Sequence, residues 1–469
     1  MKFKKNENLI QFKKFLLLAL NLKINKMKAF HAYDIRGIYN EDFNKNDAYK
    51  VGFFLPELLN TKKILVGRDV RVSSPEIFEY LCKGINDAGA DVYNTGLSTT
   101  PMVYFITAKQ KFDASVMITA SHNSKEYNGM KISKTDALPV GYDSGLKELE
   151  EMMNSKEILI SEKKGKIIEY PQKNEYIKFL KGYVPDISDL NIAMDCSNGM
   201  AALLIKDLLG NQPKYIFDEL DGTFPNHEAN PLVPKNIVDL QNLVKKEKAD
   251  IGVIFDGDAD RVMFTDENAR FISPDLMIAV LADYFKDRKG KFLQDIRTSK
   301  AVAEYIGDRF EKEMWRVGRA YAAVKLREID GIFGGELAGH YYFKDFYYSD
   351  SGLLATLIFL DVIAKNKEKG ISVSQMISKI EAYNNSGEIN FKLEKKKEAM
   401  DAVKDFFFEQ AKPEAFFDFD GYRIEYTDWW LSIRPSNTEP YLRLLVEAKS
   451  NHLLKQRVGE ITKIIKSFS

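Results

Sequence analysis

Three aspartates alternate in the stretch DGDADR, so Asp256, Asp258 and Asp260 occupy every second position directly after the apolar run ADIGVIF. In an extended loop at a strand end, such side chains can converge on one point. Three carboxylates crowded together repel one another unless a cation lies among them, and hard oxygen donors select Mg²⁺ or Ca²⁺ over softer metals. An EF-hand loop competes with this reading, because Asp256, Asp258, Asp260 and Glu267 occupy its first, third, fifth and twelfth positions. Against it, Arg261 stands where that loop needs glycine, and the flanks ADIGVIF and VMFT are strand-like. Ordinary turn acidity is the plainer alternative.

Three other stretches carry usable groups. ITASHNSKEYNGMK follows the strand-like ASVMITA and places Ser121 at a strand end, where ligands collect in parallel α/β sheets. A hydroxyl needs activation to act as a nucleophile, and the G-x-S-x-G elbow of acyl-transfer enzymes is absent; as turn residues, Ser121 and Asn123 need no chemistry at all. FGGELAGHYYF sets Glu336 and His340 four apart. On a helix that spacing would make a metal pair, but Gly334, Gly335 and Gly339 favour a loop, in which a carboxylate and an imidazole suit hydrogen bonding to a polyol. In IRPSNTEPYLRL, Arg434, Ser436, Asn437 and Thr438 offer a guanidinium fork, two hydroxyls and an amide, equipment for gripping phosphate oxygens, although Pro-Ser-Asn is also turn chemistry.

Elements must bring these loops together. Short β-rich runs alternate with helical patterns three times, over residues 62–120, 191–256 and 271–336. Strand–helix–strand order predicts parallel sheets covered on both faces. Beyond them, RIEYTD, WWLSIRP and YLRLLVEAK follow one another without intervening helices, which predicts a smaller antiparallel α+β unit. A chain of 469 residues exceeds one hydrophobic core. The expected division is an extension over 1–26, α/β domains over 27–165, 166–270 and 271–385, and an α+β domain over 386–469.

Composition narrows the function classes. Lys+Arg and Asp+Glu both total 68, so no global basic field attracts nucleic acid or anionic lipid. Cys82 and Cys196, lacking C-x-x-C spacing, suit a reducing compartment and argue against a disulfide framework or a thiolate zinc site. The N-terminal apolar core, Phe15 to Leu22, is short for a signal peptide and too short to span a bilayer, and Met27 stands directly before the first globular-looking segment. A cytoplasmic protein, monomeric or dimeric, with no membrane partner is expected.

Together the four loops resemble those of the α-D-phosphohexomutase superfamily, in the family's order and from about Ala29 onward. TASHNSKEYNGMK is similar to its phosphoserine loop, DGDADR to its magnesium loop, GGELAGH to its sugar loop and RPSNTEP to its phosphate loop; AYDIRG, DGTFPNHEANPL and SDSG match further segments. The resemblance implies four domains, three α/β and one α+β, around a central cleft. It implies that Ser121 carries a phosphoryl group, and that Asp256, Asp258, Asp260 and a phosphate oxygen on Ser121 share one Mg²⁺. Arg36 and Arg261 would position the transferring oxygens or the substrate, and His122 and Lys131 lie beside the serine. Lys131 is the favoured general acid/base and His340 the other candidate; Glu336 would grip sugar hydroxyls, and Arg434, Ser436, Asn437 and Thr438 the distal phosphate. The implied activity interconverts hexose 1- and 6-phosphates of mannose or glucose through a hexose 1,6-bisphosphate, which also serves as activator. A phosphoglucosamine mutase and a silent sugar-phosphate-binding protein are the alternatives. Ala338 stands where many relatives have serine, and Arg316 and Arg319 where they often have lysine and histidine, departures that bear on sugar preference.

Overall fold

The computed structural model describes residues 27–436 and 440–468; the expectations for 1–26, Asn437 and Thr438 lie outside the described residues. Four sheets succeed one another along the chain. In the first, Ala114–Ile118, Lys63–Arg68, Asp91–Leu97 and Ile167–Glu169 run parallel. In the second and third, the parallel sets are Ile251–Phe255, Ile192–Asp195 and Lys214–Ile216, then Glu311–Trp315, Lys291–Asp295 and Phe333–Gly335. The last sheet, built around Trp429–Pro435 and Tyr441–Ala448, is antiparallel throughout. Three α/β units and one α+β unit result, as the sequence predicts.

Wholly parallel sheets, however, do not form. Each α/β sheet ends in an antiparallel return: Tyr127–Lys134 against Ala114–Ile118, Val262–Asp266 against Ile251–Phe255, and Tyr341–Phe343 against Phe333–Gly335. The linking segments are too short for a crossover helix, so the chain can only fold back beside the strand it has left. Ser121, the aspartate triplet and the Glu336–His340 segment therefore sit at the tips of three equivalent hairpins, and Arg434 flanks a fourth tip in the last sheet.

Strand pairing also moves the expected boundaries by a few residues. Ile167–Glu169 extends the first sheet rather than the second, Phe271–Ile272 the second rather than the third, and Asn384–Asn385 the last rather than the third. Edge pairing satisfies backbone groups that local sequence pattern does not report.

Nor are the interiors separate. The largest apolar cluster runs through all three α/β units, joining Met102 and Phe105 to Tyr176 and to Leu353, Ile358 and Phe359. The helix Gly352–Lys367, apolar on nearly every face along GLLATLIFL, is buried over most of its length, which is why it lacks a polar stripe. Ser351 caps it by accepting from Leu354 N at 3.1 Å. Among the described residues no helix is long and apolar enough to cross a membrane.

One joint recurs at the end of the middle parallel strand in each α/β unit. Asp69, Asp195 and Asp295 each accept, through Oδ1, the backbone N–H two residues on, from Arg71 (3.0 Å), Ser197 (2.7 Å) and Arg297 (2.6 Å). The other oxygen of each meets a basic side chain: Arg71 Nε at 3.1 Å, His227 Nε2 at 3.0 Å and Arg297 Nη2 at 2.6 Å.

Candidate active site

Ser121 holds a left-handed backbone (φ 52°), a conformation that costs energy for a residue with a Cβ and needs support. Support comes from Thr119 Oγ1, which accepts Ser121 N at 2.9 Å, and from the buried guanidinium of Arg71. Arg71 donates to the carbonyls of Ser121 (2.8 Å), Asn123 (2.7 Å), Ser124 (2.7 Å) and Tyr127 (3.0 Å), while Asp69 holds its Nε. The serine hairpin is thus wrapped around one cation.

The aspartate hairpin lies directly against it. A Cβ on Gly257 would fall 2.5 Å from the Ser121 carbonyl oxygen, so only glycine permits this approach. Ser121 Oγ donates to Asp256 Oδ2 at 2.7 Å, and Thr100 N donates to the Asp258 carbonyl at 3.1 Å. The three carboxylates are fully buried, with one oxygen of each within 4.8 Å of the others. Serine and triad, 135 positions apart, therefore occupy one chamber.

The triad fits a hard divalent cation on its own evidence. Oδ1 of Asp258 and Oδ1 of Asp260 are buried without a hydrogen-bond partner. Burial, then the carboxylates of Asp260 and Asp258, push the Asp256 carboxyl well above the usual range, the response of a donor set with too little positive charge nearby. Lys131 supplies part of it, its Nζ donating to Asp258 (2.7 Å) and Asp260 (2.5 Å). The EF-hand arrangement is absent: Glu267 turns away and accepts from Ser374 N at 3.0 Å, and antiparallel strands flank the loop.

These contacts redistribute the expected proton roles. Burial opposes a charge on Lys131, but Asp258 and Asp260 outweigh it and raise its pKa, which favours the charged amine. That direction suits the acid half of the acid/base role expected of Lys131. His122, its Nδ1 3.3 Å from Ser121 Oγ, is held well below the ordinary histidine range by burial and by Arg261, Arg36 and Lys131, and is neutral. His340 Nδ1 lies 2.6 Å from Asp350 Oδ2, and Arg261 Nε donates to its Nε2 at 2.9 Å. That network assigns the proton to Nδ1 and spends the Nε2 lone pair on Arg261.

Glu336 and His340 do not form a pair. Glu336 accepts from Gly318 N (2.6 Å) and the Tyr342 hydroxyl (2.7 Å), partners separate from the Asp350 that holds His340. Both nevertheless line one cavity of about 150 Å³ with Arg36, Lys131, Asp260 and Arg261. Arg36 reaches Asn123 Oδ1 at 2.8 Å and Asp34 at 2.5 Å. Arg319 stacks on Tyr104 at 3.6 Å and donates to Asp350 at 3.1 Å.

Arg434 lies apart from this group. Its Nη2 is 3.2 Å from both Asp420 carboxylate oxygens, and it lines a smaller recess with Glu388 and Ser432. Ser436 donates its N–H to Tyr441 O at 2.9 Å and lines neither cavity. Arg297 lines both, the one side chain among the described residues common to the two. Sequence reasoning missed Arg71, Arg297 and Asp350; for the first two, the repeated D-x-R after a strand (Asp69/Arg71, Asp295/Arg297) was the available signal.

Known proteins repeat this layout. The phosphoglucomutase/phosphomannomutase α/β/α domains I, II and III match residues 27–158, 174–269 and 273–383, and the family's C-terminal domain matches 388–464. A phosphomannomutase of Methanocaldococcus jannaschii is 36% identical over 455 residues, covering 94% of this chain and 98% of its own length. One from Vibrio cholerae is 34% identical over 463 residues, covering 94% and 99%. The crystal structure of a phosphoglucomutase/phosphomannomutase family protein from Burkholderia thailandensis superposes with a TM-score of 0.84 at 26% identity, covering 94% of this chain and 97% of that one. With all four domains matched in order and the serine and aspartate hairpins closed on one another, the chain belongs to the phosphoglucomutase/phosphomannomutase family.

Proposed function

We propose that this chain interconverts hexose 1-phosphates and hexose 6-phosphates of mannose and glucose by relaying a phosphoryl group through Ser121. The contact that carries the reading is Ser121 Oγ on Asp256 at 2.7 Å, inside a buried three-carboxylate cluster. A serine meant only to close a turn has no reason to face three carboxylates, whereas a phosphorylated one needs a metal site beside it.

In the first half-reaction a free hydroxyl of the bound hexose monophosphate attacks the phosphorus carried on Ser121 Oγ. The new sugar–oxygen bond to phosphorus forms as the bond to Oγ breaks, and the sugar proton leaves to a base. His340 suits that role through Nε2 once Arg261 Nε turns from it to the transferring oxygens, with Asp350 fixing the ring. Charged Lys131 suits the complementary one, supplying a proton to the departing Oγ. The hexose 1,6-bisphosphate then presents its other phosphate, and the reverse transfer restores the phosphoserine. Arg36 and Arg261 line the cavity where the transferring oxygens would pass.

One Mg²⁺, held by Asp256, Asp258, Asp260 and a phosphate oxygen on Ser121, would neutralise the charge of the phosphoryl group during transfer. Glu336 spends one acceptor direction of each oxygen on Gly318 and Tyr342, so its remaining lone pairs can take the 3- and 4-hydroxyls. Those hydroxyls are shared by glucose and mannose, which differ at C2. Arg434, with Ser436, Asn437 and Thr438, would hold the phosphate that is not reacting.

Coupled assays with mannose, glucose and glucosamine 1-phosphates test the reading. Turnover of the first two with magnesium is expected. Faster turnover of the glucosamine ester would move the assignment to a phosphoglucosamine mutase, and binding without any turnover would leave only a sugar-phosphate-binding protein.

A further inference from the structure

We infer that Arg423, in the last domain, is a positioning residue that sets Arg297 toward the substrate when that domain seats on the third; the identity of the ligand rests on the mutase reading. Arg423 is fully buried, and such a cation is retained only where it is paired and hydrogen-bonded. Its Nη1 donates to the carbonyls of Ile296 (2.9 Å) and Thr298 (2.6 Å), the two residues on either side of Arg297. One guanidinium from the last domain thus holds the peptide unit that enters Arg297 and the one that leaves Thr298.

The grip is braced. Arg423 Nε donates to Glu425 at 2.6 Å, and its plane lies on Trp430 at 3.8 Å. Trp430 Nε1 and Ser299 Oγ both donate to Glu447 Oε2, at 2.8 and 2.6 Å, so the segment after Arg297 is held by a second contact across the same boundary. On the other side, Arg423 pairs in register with Ser432, two residues before Arg434 on the neighbouring strand. The arginine of the phosphate hairpin and the clamp on the Arg297 segment therefore move as one sheet. Because Arg297 lines both the sugar cavity and the Arg434 recess, any shift of the last domain that carries Arg434 also carries Arg297. Closure over substrate and presentation of this guanidinium become a single event.

A double-mutant cycle read by calorimetric binding of mannose 6-phosphate tests the link, with thermal unfolding as the control for folding. Arg423→Lys keeps the charge but loses the planar fork, and should weaken binding about 10-fold, against about 30-fold for Arg297→Met. If Arg423 acts through Arg297, the double variant should bind no worse than Arg297→Met alone, whereas independent roles multiply to about 300-fold. Multiplied effects, or a folded Arg423→Lys with unchanged affinity, would overturn the inference. Should Arg423→Lys fail to fold, Glu425→Gln, which removes the charge facing Nε but keeps an acceptor for it, enters the same cycle with the same two outcomes. Wild-type protein that binds mannose 6-phosphate but turns over no hexose phosphate would sink the mutase reading alone, since the cycle is read by binding. Wild-type protein that binds no hexose phosphate overturns both.

Discussion

Around Ser121, contacts close on other buried groups: Arg71 inside its hairpin, Gly257 against its carbonyl, Asp256 on its hydroxyl, Lys131 bridging the remaining aspartates. Around Glu336 and Arg434 the construction is divided. Their two recesses are separate, they belong to different domains, and among the described residues one side chain, Arg297, is common to them. The proposed function gives that difference a reason. Phosphoryl transfer depends on charges fixed before the reaction, because reorganising them during it raises the barrier. Recognition must accept one sugar in two orientations, and a site split across a domain boundary can adjust where a locked one cannot.

Removing the relay tests the locked end most severely. Ser121→Ala should lower kcat at least about 10³-fold while hexose phosphate affinity changes less than about 3-fold. A variant retaining a tenth of the activity would show that the hydroxyl carries nothing. Stripping divalent cations should cost about 10²–10³-fold, restored by Mg²⁺, and Asp258→Asn should raise the Mg²⁺ concentration needed for half-maximal rate. An unaltered magnesium response would take Asp258 out of the metal set.

Gly257→Ala probes the same end sterically. The added Cβ meets a backbone carbonyl at 2.5 Å, which cannot rotate away, so the two hairpins must separate. A loss of about 10–10²-fold in kcat with KM little changed is expected, because a displacement of about 1 Å is enough to spoil alignment. At the divided end, Glu336→Gln should reduce kcat/KM by about 10-fold, mostly through KM, since an amide can replace part of the carboxylate's hydrogen bonding. If Glu336→Gln were the more damaging of the two, the contrast between the ends would fail.

The smallest effect belongs to the boundary itself. Burial first, and then Asp275, raise the Glu447 carboxyl from 4.5 to about 7. A raised folded value means that the folded protein binds the proton more tightly than the unfolded chain. The associated stability is fully present below pH 4.5 and is lost as pH climbs through about 7, a decline of roughly 1–3 kcal/mol. Denaturant titrations across that window should show the decline in the wild type and its absence in Glu447→Gln.

Much of this arrangement was readable before folding. Ser121, the aspartate triplet, Glu336 and His340, and Arg434 each lie in a short polar stretch after an apolar run, a pattern local enough to survive without coordinates. The returning strands were not readable in the same way. YNGMKISK and VMFT carry no clean alternation, because both of their faces are buried and the sheet, not solvent, selects their residues. Hence the prediction of wholly parallel sheets, and hence the missed recurrence of each site loop as a hairpin tip.

Chemical type and chain order belong to the sequence alone: which side chains can carry phosphate, hold a hard cation or grip a sugar, and in which of four successive units each stands. Mutual distance and protonation state were decided only by the fold. Lys131 is a lysine in the sequence and the partner of two buried aspartates in the chamber, because two carboxylates more than a hundred residues away close on it. Arg71 and Arg423 read as ordinary charged residues until burial removes water and turns their donors to the backbone carbonyls of particular loops. Desolvation turns a generic charge into a specific strut, and desolvation is a property of packing that no stretch of chain possesses by itself.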